Sequence, residues 1–173
     1  LPTIQSTYTF PLVKETEKFN NTLTPKLSFK LSPDFTRDIR NRNEGRIDYF
    51  NIYDVYRIGI EEANEGGISA TYGYEYTKLD KSIFAQKMKF GFANNIRLSE
   101  NKDLPSNTNL GDKVSDFVGL FEYSSKDNFK LDYNFSLKDN IVEKNYELFG
   151  FEFYLRNLTS TFEYRNENNT KLN

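Results

Sequence analysis

The sequence contains no cysteine, no histidine and no tryptophan. The lack of Cys and His excludes disulfide frameworks, Cys/His metal sites and the Ser-His and Cys-His nucleophile systems. Strong positive charge is missing as well, since the formal net charge is -2, so nothing indicates a nucleic-acid partner. A carboxylate-only metal site or acid/base pair stays open, but no spacing singles one out. We therefore predict a protein that is not an enzyme, with no catalytic residue, no metal and no cofactor.

Long apolar runs are also absent, and no stretch approaches the roughly 18 to 20 apolar residues of a membrane helix. Aromatic residues are abundant instead, with 16 Phe and 12 Tyr, although 28% of the residues are charged and mean hydropathy is -0.72. A transmembrane β-barrel reconciles these facts, because its outer face needs aromatic and aliphatic side chains while its interior is polar.

The dominant pattern is an alternation with a period of two residues, which places successive side chains on opposite faces of a strand. The longest run alternates Phe129, Leu131, Tyr133, Phe135 and Leu137 with Lys130, Asp132, Asn134, Ser136 and Lys138. Shorter runs lie at 8–12, 27–31, 72–76, 84–92 and 117–123, and we expect two strands within 141–164 with a turn near 150–154. The sequence thus predicts an all-β fold, an antiparallel transmembrane β-barrel segment of about eight strands.

Two kinds of connection separate these runs. Residues 79–82, 125–128 and 138–140 are short and polar, as antiparallel hairpins require. Residues 32–65 and 97–112 are long, and strand counting places both at the same end of the sheet, as in membrane barrels with short periplasmic turns and long external loops. The short connection at 138–140 falls on the long-loop end, so the asymmetry is imperfect.

Pro11 and Pro25 lie inside two predicted strands, where each removes a hydrogen-bond donor from the ladder. We expect a bulge or a strand end at these positions and no gating role. Gly66 and Gly67 are not followed by the lysine and helix of a phosphate-binding loop, and we expect them to mark the start of a strand.

Three groups of charged residues are candidates for a functional site. Residues 103–112 carry carboxylates and amides that suit calcium, but they lack the spacing of an EF-hand loop, and a solvated loop is the preferred interpretation. Glu61, Glu62 and Glu65 suit an acid/base pair, although a solvated charge run is the usual explanation. The third group suits lipid phosphates or simply loop solubility, and it consists of Arg37, Arg40, Arg42 and Arg46.

A gapless string within residues 51–73 consists of Asn51, Arg57, Glu65, Gly66, Gly67, Ala70, Tyr72 and Gly73. This string resembles the LPS-assembly protein family LptD, also called the organic solvent tolerance family. Glu62 stands where that family usually has Asp, and the family's Gly, Arg and Arg are replaced here by Ile60, Ala63 and Ser69. Residues 10–12, 23–25 and 115–119 also look like family strands, so the resemblance runs in order over the first two thirds of the chain.

The resemblance implies a function in the outer membrane of a Gram-negative cell. Family members form a translocon that inserts lipopolysaccharide into the outer leaflet, which requires a polar lumen for the sugars and a lipid-facing wall. The implied partners are lipopolysaccharide, outer-membrane lipid, an LptE-type plug lipoprotein in the lumen and the periplasmic Lpt bridge. The alternatives are a small outer-membrane barrel or porin-like pore, and a soluble lipocalin-like lipid-binding barrel with its aromatic residues inside.

No domain boundary is visible, and we treat residues 1–173 as a single, incomplete domain. The chain starts at Leu1 without Met or a basic leader, so we expect a mature or clipped segment. We also expect an open, curved sheet with two unpaired edges, because the resemblance places this segment in the middle of a larger barrel. Phe129, Leu131, Tyr133, Phe135 and Leu137 should face lipid, and the residues between them the lumen.

Overall fold

The computed structural model describes residues 2–41, 46–58, 64–125, 128–138 and 141–167. These residues form one antiparallel sheet, which confirms the all-β prediction. The nine strands are β1 (Ile4–Thr9), β2 (Leu12–Glu15), β3 (Phe19–Ser32), β4 (Gly67–Asp80), β5 (Ala85–Arg97), β6 (Phe117–Ser125), β7 (Phe129–Leu137), β8 (Lys144–Leu155) and β9 (Leu158–Glu167). In the described ranges, no helix is long and apolar enough to cross a membrane.

Strands β1 and β2 both pair with β3 and occupy one position in the sheet, so the nine strands fill eight positions, as predicted. The interruption lies at Phe10 and Pro11, beside Pro25 of β3. The Phe10 amide donates to the Pro25 carbonyl at 3.0 Å, which shows that Pro25 directs its hydrogen-bonding side at Phe10. Because Pro25 has no N–H to return, the ladder lacks a donor at this point. Pro11 therefore stands at a strand end, whereas Pro25 stays inside β3.

The connections confirm the predicted asymmetry. The long segments between β3 and β4 and between β5 and β6 leave from the same end of the sheet, and the short turns after β2, β4, β6 and β8 lie at the other. The turn expected near 150–154 was placed wrongly, because the alternation of Phe149, Phe151 and Phe153 continues β8 to Leu155. The chain turns instead at Arg156, which adopts a φ of 44°, and at Asn157. Residues 126 and 127 of the predicted turn at 125–128, and residues 139 and 140 of the predicted turn at 138–140, lie outside the described residues.

The sheet has one face that no other part of the described chain covers, and we call it the outer face. Directly paired residues share a face of an antiparallel sheet, so the register assigns each side chain to it. Its apolar members include Ile4, Tyr8, Leu12, Leu23, Leu27, Phe29, Leu31, Ile68, Tyr72, Tyr74, Tyr76, Phe90, Phe92, Phe121, Tyr123, Leu131, Tyr133, Phe135, Phe149, Phe151, Phe153, Phe162 and Tyr164. Phe29 is 51% exposed and Phe162 is 58% exposed. The sheets of water-soluble proteins seldom leave so many aromatic rings exposed on one face.

The opposite face is polar and lies under the two long connections, and we call it the loop-covered face. The buried apolar cluster is formed between these connections and the sheet. It consists of Ile39, Ile47, Tyr49, Ile52, Ile58, Leu104 and Leu110 from the loops, with Ala93, Val118 and Leu120 from β5 and β6. The connection between β3 and β4 reaches both edges: Gln5 of β1 donates to the Tyr53 carbonyl at 2.5 Å, and Arg46 binds Glu167 of β9. The sheet remains open, with β1 and β2 at one edge and β9 at the other.

Candidate functional site on the loop-covered face

The largest group of buried charged residues in the described ranges surrounds Glu65, just before β4. The Arg57 guanidinium donates to both carboxylate oxygens, through Nε at 2.7 Å and through a terminal nitrogen at 2.5 Å. Lys30 of β3 donates at 2.9 Å and Arg97 of β5 at 2.5 Å. Ser69 and Thr71 of β4 accept hydrogen bonds from Arg57 at 3.0 Å each. We call Lys30, Arg57, Glu65 and Arg97 the Glu65 cluster.

The electrostatics of the Glu65 cluster hold its single carboxylate ionised. Burial alone would raise the pKa of Glu65, but the charge and hydrogen bonds of Arg57, together with the charges of Lys30 and Arg97, lower the pKa to about 2. The cluster joins three separate pieces of chain, because Arg57 and Glu65 belong to the long connection while Lys30 and Arg97 belong to different strands. Its arrangement therefore anchors the connection to the sheet.

A second set of polar contacts lies further along the same face. Glu75 of β4 receives Lys26 at 3.1 Å and lies 3.5 Å from Lys89, and the Tyr49 hydroxyl donates to it at 3.1 Å. Burial, followed by the negative charge of Glu75, raises the pKa of Tyr49. Tyr49 therefore acts as a hydrogen-bond donor and not as a base.

Two glycines make room for the tyrosines of the connection. A Cβ at Gly91 would overlap the Tyr49 ring, and one at Gly73 would overlap the Tyr53 hydroxyl and the neighbouring strand. Both glycines lie on the loop-covered face, so the absence of a side chain lets the loop pack directly on the sheet.

Asp116 forms a third buried group, immediately before β6. Its carboxylate accepts from Ser136 at 2.8 Å, from Asn145 at 2.6 Å and from Asn109 at 2.7 Å. Burial raises the pKa of Asp116, and these hydrogen bonds only partly oppose the rise. The contacts tie the second long connection to β7 and β8.

The carboxylates considered from the sequence do not form an acid/base pair among the described residues. Glu61 and Glu62 lie outside the described residues. Glu65 is 3% exposed, so the interpretation of a solvated charge run was wrong for this residue. The reason is that three cations from distant positions meet its carboxylate. Gly67 begins β4, which confirms the predicted strand start.

Residues 103–112 were expected to be a solvated loop, and that expectation was wrong. Leu104 and Leu110 are buried in the apolar cluster, and a short 3₁₀ helix, Ser106–Thr108, lies between them. Asp103 pairs with Arg40 at 3.0 Å. Nowhere in the described ranges do three or more acidic residues come together as a metal site.

Of the four arginines in the candidate phosphate group, Arg40 and Arg46 have separate partners in the described ranges. Arg40 donates to Asp38 at 2.9 Å and to Asp103, both near the surface. Arg46 binds Glu167 and stacks over the Tyr146 ring, with its guanidinium carbon 4.1 Å from the ring centre. Arg37 is exposed, and Arg42 lies outside the described residues.

Sequence reasoning missed Lys30, Arg97 and Asp116 as buried groups. In the alternation, Lys30 occupies an ordinary polar position, and nothing local shows that a loop will cover it. Arg57 stands out in the sequence only as part of the string that carries the family resemblance, and Glu65 stands out there and in the acidic run with Glu61 and Glu62. Asn51 of the same string stabilises a local turn, since its amide donates to the Arg46 carbonyl at 2.9 Å.

Comparison with known proteins gives no family: no family model matches the chain, and no curated protein matches it. The fold and the site define a class of architecture, an open antiparallel sheet whose aromatic face is uncovered and whose polar face holds two packed loops. The buried charges on that face are paired and positioned by the fold, as expected of a structural network.

Proposed function

We propose that the chain is a wall segment of an outer-membrane β-barrel, with the outer face against lipid and the loop-covered face toward the lumen. The observation that carries this proposal is the uncovered apolar surface, rich in Phe and Tyr, that runs across the sheet. In water, so much exposed apolar surface would drive aggregation, whereas hydrocarbon solvates it. The loop-covered face does not suit hydrocarbon, because it carries charged side chains that pair with one another and with the loops.

The sidedness also argues against the soluble lipid-binding barrel. That alternative requires Phe and Tyr to point inward and to enclose a ligand. Here the rings lie on the face opposite the folded loops. A lumen partly filled by its own loops is a common feature of membrane barrels that do not act as wide open channels.

We further propose that the parent protein transports lipopolysaccharide to the outer leaflet, as the LptD family does. Support comes from the resemblance around residues 51–73. Three of its residues, Arg57, Glu65 and Gly67, lie in or beside the Glu65 cluster, where a Cβ at Gly67 would crowd the Arg97 guanidinium. The proposed partners are lipopolysaccharide, outer-membrane lipid, an LptE-type plug lipoprotein and the periplasmic Lpt bridge.

Site-directed spin labelling tests the membrane proposal directly, because the chain has no cysteine that would compete for the label. Leu131→Cys and Asn134→Cys differ in face but lie close together on β7. In lipid vesicles, the label at position 131 should collide mainly with oxygen, which dissolves in hydrocarbon, and the label at 134 with a water-soluble nickel chelate. Water-like collision rates at position 131 would defeat the proposal.

The transport proposal has a separate test in the cell of origin. Depletion of the full-length protein should reduce lipopolysaccharide at the cell surface, as judged by its accessibility to a modifying enzyme added outside. Normal surface lipopolysaccharide together with reduced uptake of small polar solutes would instead identify a porin-like pore.

A further inference from the structure

We infer that the outer face contacts a lipid bilayer along an apolar band and that the strands tilt by about 35° from the membrane normal. The band runs obliquely to the rows of directly paired residues that cross the sheet. This inference rests on the proposed membrane location and adds to it the depth of individual residues. The depths follow from the positions at which polar side chains interrupt the apolar surface of each strand.

The first row of directly paired residues on the outer face changes from apolar to polar along the sheet. It consists of Pro25, Tyr74, Phe92, Gly119, Phe135, Glu147 and Asn166, from β3 to β9 in order. On β3 and β4 this row lies in the middle of the apolar surface, with Leu31 and Ile68 still beyond it toward the long loops. On β8 and β9 the row marks the end of that surface.

The second row, nearer the short turns, changes in the opposite sense. It consists of Lys14, Asn21, Lys78, Met88, Tyr123, Leu131, Phe151 and Phe162, from β2 to β9 in order. On β2 to β4 it is polar, and Phe19 is the one apolar residue of these strands that lies beyond it on the outer face. On β7 to β9 it is apolar, and Phe153, Leu155 and Leu158 continue the surface toward the turn.

The two rows together show that the apolar band moves toward the short-turn end by about one residue per strand across the sheet. One residue advances about 3.3 Å along a strand and neighbouring strands lie about 4.8 Å apart, which gives the tilt of about 35°. Membrane barrels tilt their strands by about 35 to 45°. A flat bilayer therefore fits this surface only when the strands are inclined as in a barrel.

The height of the band also fits a bilayer. From Leu23 to Leu31 the apolar residues of β3 extend about 27 Å along the strand. At the inferred tilt this length corresponds to about 22 Å along the membrane normal, close to the ~25 Å apolar belt of outer-membrane barrels.

Polar side chains at both limits of the band suit the headgroup regions. Lys78 lies over the Phe19 ring, with its ammonium 4.1 Å from the ring centre, at the short-turn limit. Glu147 pairs with Lys144 at 2.8 Å and accepts from Tyr133 at 3.1 Å at the long-loop limit. Such contacts keep charged groups at the interface while their apolar parts stay in contact with the band.

Depth measurement on four single-cysteine variants tests the tilt. Tyr74→Cys and Asn166→Cys lie on the first row, and Lys78→Cys and Phe162→Cys lie on the second. For the full-length protein in lipid vesicles, the oxygen-to-nickel collision ratio should be higher at 74 than at 166, and higher at 162 than at 78. If the Phe162 variant fails to fold, Leu131→Cys on the same row replaces it.

The outcomes separate this inference from the proposed function. Equal or reversed depths within each row, with all four labels richer in oxygen contacts than Asn134→Cys of the loop-covered face, would overturn the tilt and leave the membrane location intact. Labels that all behave like Asn134→Cys would overturn both.

Discussion

At the scale of single residues, the Glu65 cluster places three cations against one carboxylate in a region that water scarcely reaches. Lys30, Arg57 and Arg97 are each no more than 5% exposed. Removing ions from water costs several kcal/mol per ion, and good geometry with many hydrogen bonds must offset that cost. Glu65 is shared by all three cations, so its loss would leave every one of them without its carboxylate.

The first prediction follows from this shared role. Glu65→Gln should lower the free energy of unfolding by about 3 to 5 kcal/mol, because it leaves buried cations uncompensated. Denaturant unfolding of the full-length protein in detergent measures the effect. Glu163→Gln, an exposed position on β9, is the matched control and should change stability by no more than about 0.5 kcal/mol. Equal midpoints for the two variants would contradict the buried cluster.

The second prediction concerns pH. The pKa of Glu65 is lowered from its ordinary value of 4.5 to about 2 in the folded protein, so its contribution to stability is complete above pH 4.5. That contribution should fall as the pH decreases from about 4.5 toward about 2, where the unfolded chain binds the proton first. Asp116 acts in the opposite direction, since its raised pKa favours proton uptake by the folded state.

The measurement is the unfolding midpoint as a function of pH. The native protein should lose more stability over this acidic window than Glu65→Gln, which has no proton to gain at that position. Parallel curves for the two proteins would show that Glu65 has an ordinary pKa in the folded state.

At the scale of elements, alternation sufficed to predict the strands because one face of each strand is apolar. The run from Phe129 to Leu137 forms β7, with its apolar residues on one face and the polar residues between them on the other. Alternation does not locate a turn when the same apolar-polar pattern continues in the strands before and after it. For this reason the predicted position of the turn between β8 and β9 was wrong. Arg156 is an unusual residue for the left-handed region, which Gly, Asn and Asp adopt more readily.

The third prediction uses that turn. Arg156→Gly should stabilise the protein by up to about 1 kcal/mol, because glycine adopts a φ of 44° without steric cost. Arg156→Val should destabilise it by a similar or larger amount, since a β-branched side chain tolerates positive φ poorly. Asn157→Gly is the control, because residue 157 is not among the described residues with positive φ. Thermal unfolding in detergent ranks the variants, and equal gains at 156 and 157 would contradict the assigned conformation.

At the scale of the whole molecule, the sequence predicted the sheet, with long connections at one end and short turns at the other. It did not predict that the long loops pack on one face of the sheet. The loops are polar in composition, which favoured a solvated interpretation. A loop charge becomes buried by pairing with strand residues far away in the chain, as Glu65 does with Lys30 and Arg97. Local sequence patterns do not show which distant residues form such pairs. A few apolar loop residues, such as Ile47, Ile52 and Leu110, indicate that the loops are buried. Their spacing is too irregular to give a periodic pattern.

The last prediction concerns the open sheet. One edge is interrupted at Phe10 and Pro11, beside Pro25, and β9 at the other edge has side chains that are almost all exposed. Closure into a barrel requires the two edges to pair in a fixed register, and in the described residues they do not. Unpaired edges bind other chains, so this segment expressed alone in detergent should aggregate or unfold at low temperature. Electrophoresis with and without heating, together with limited proteolysis, provides the measurement. A protease-resistant monomer whose mobility shifts on heating would show that the segment closes by itself, and it would favour the small-barrel alternative.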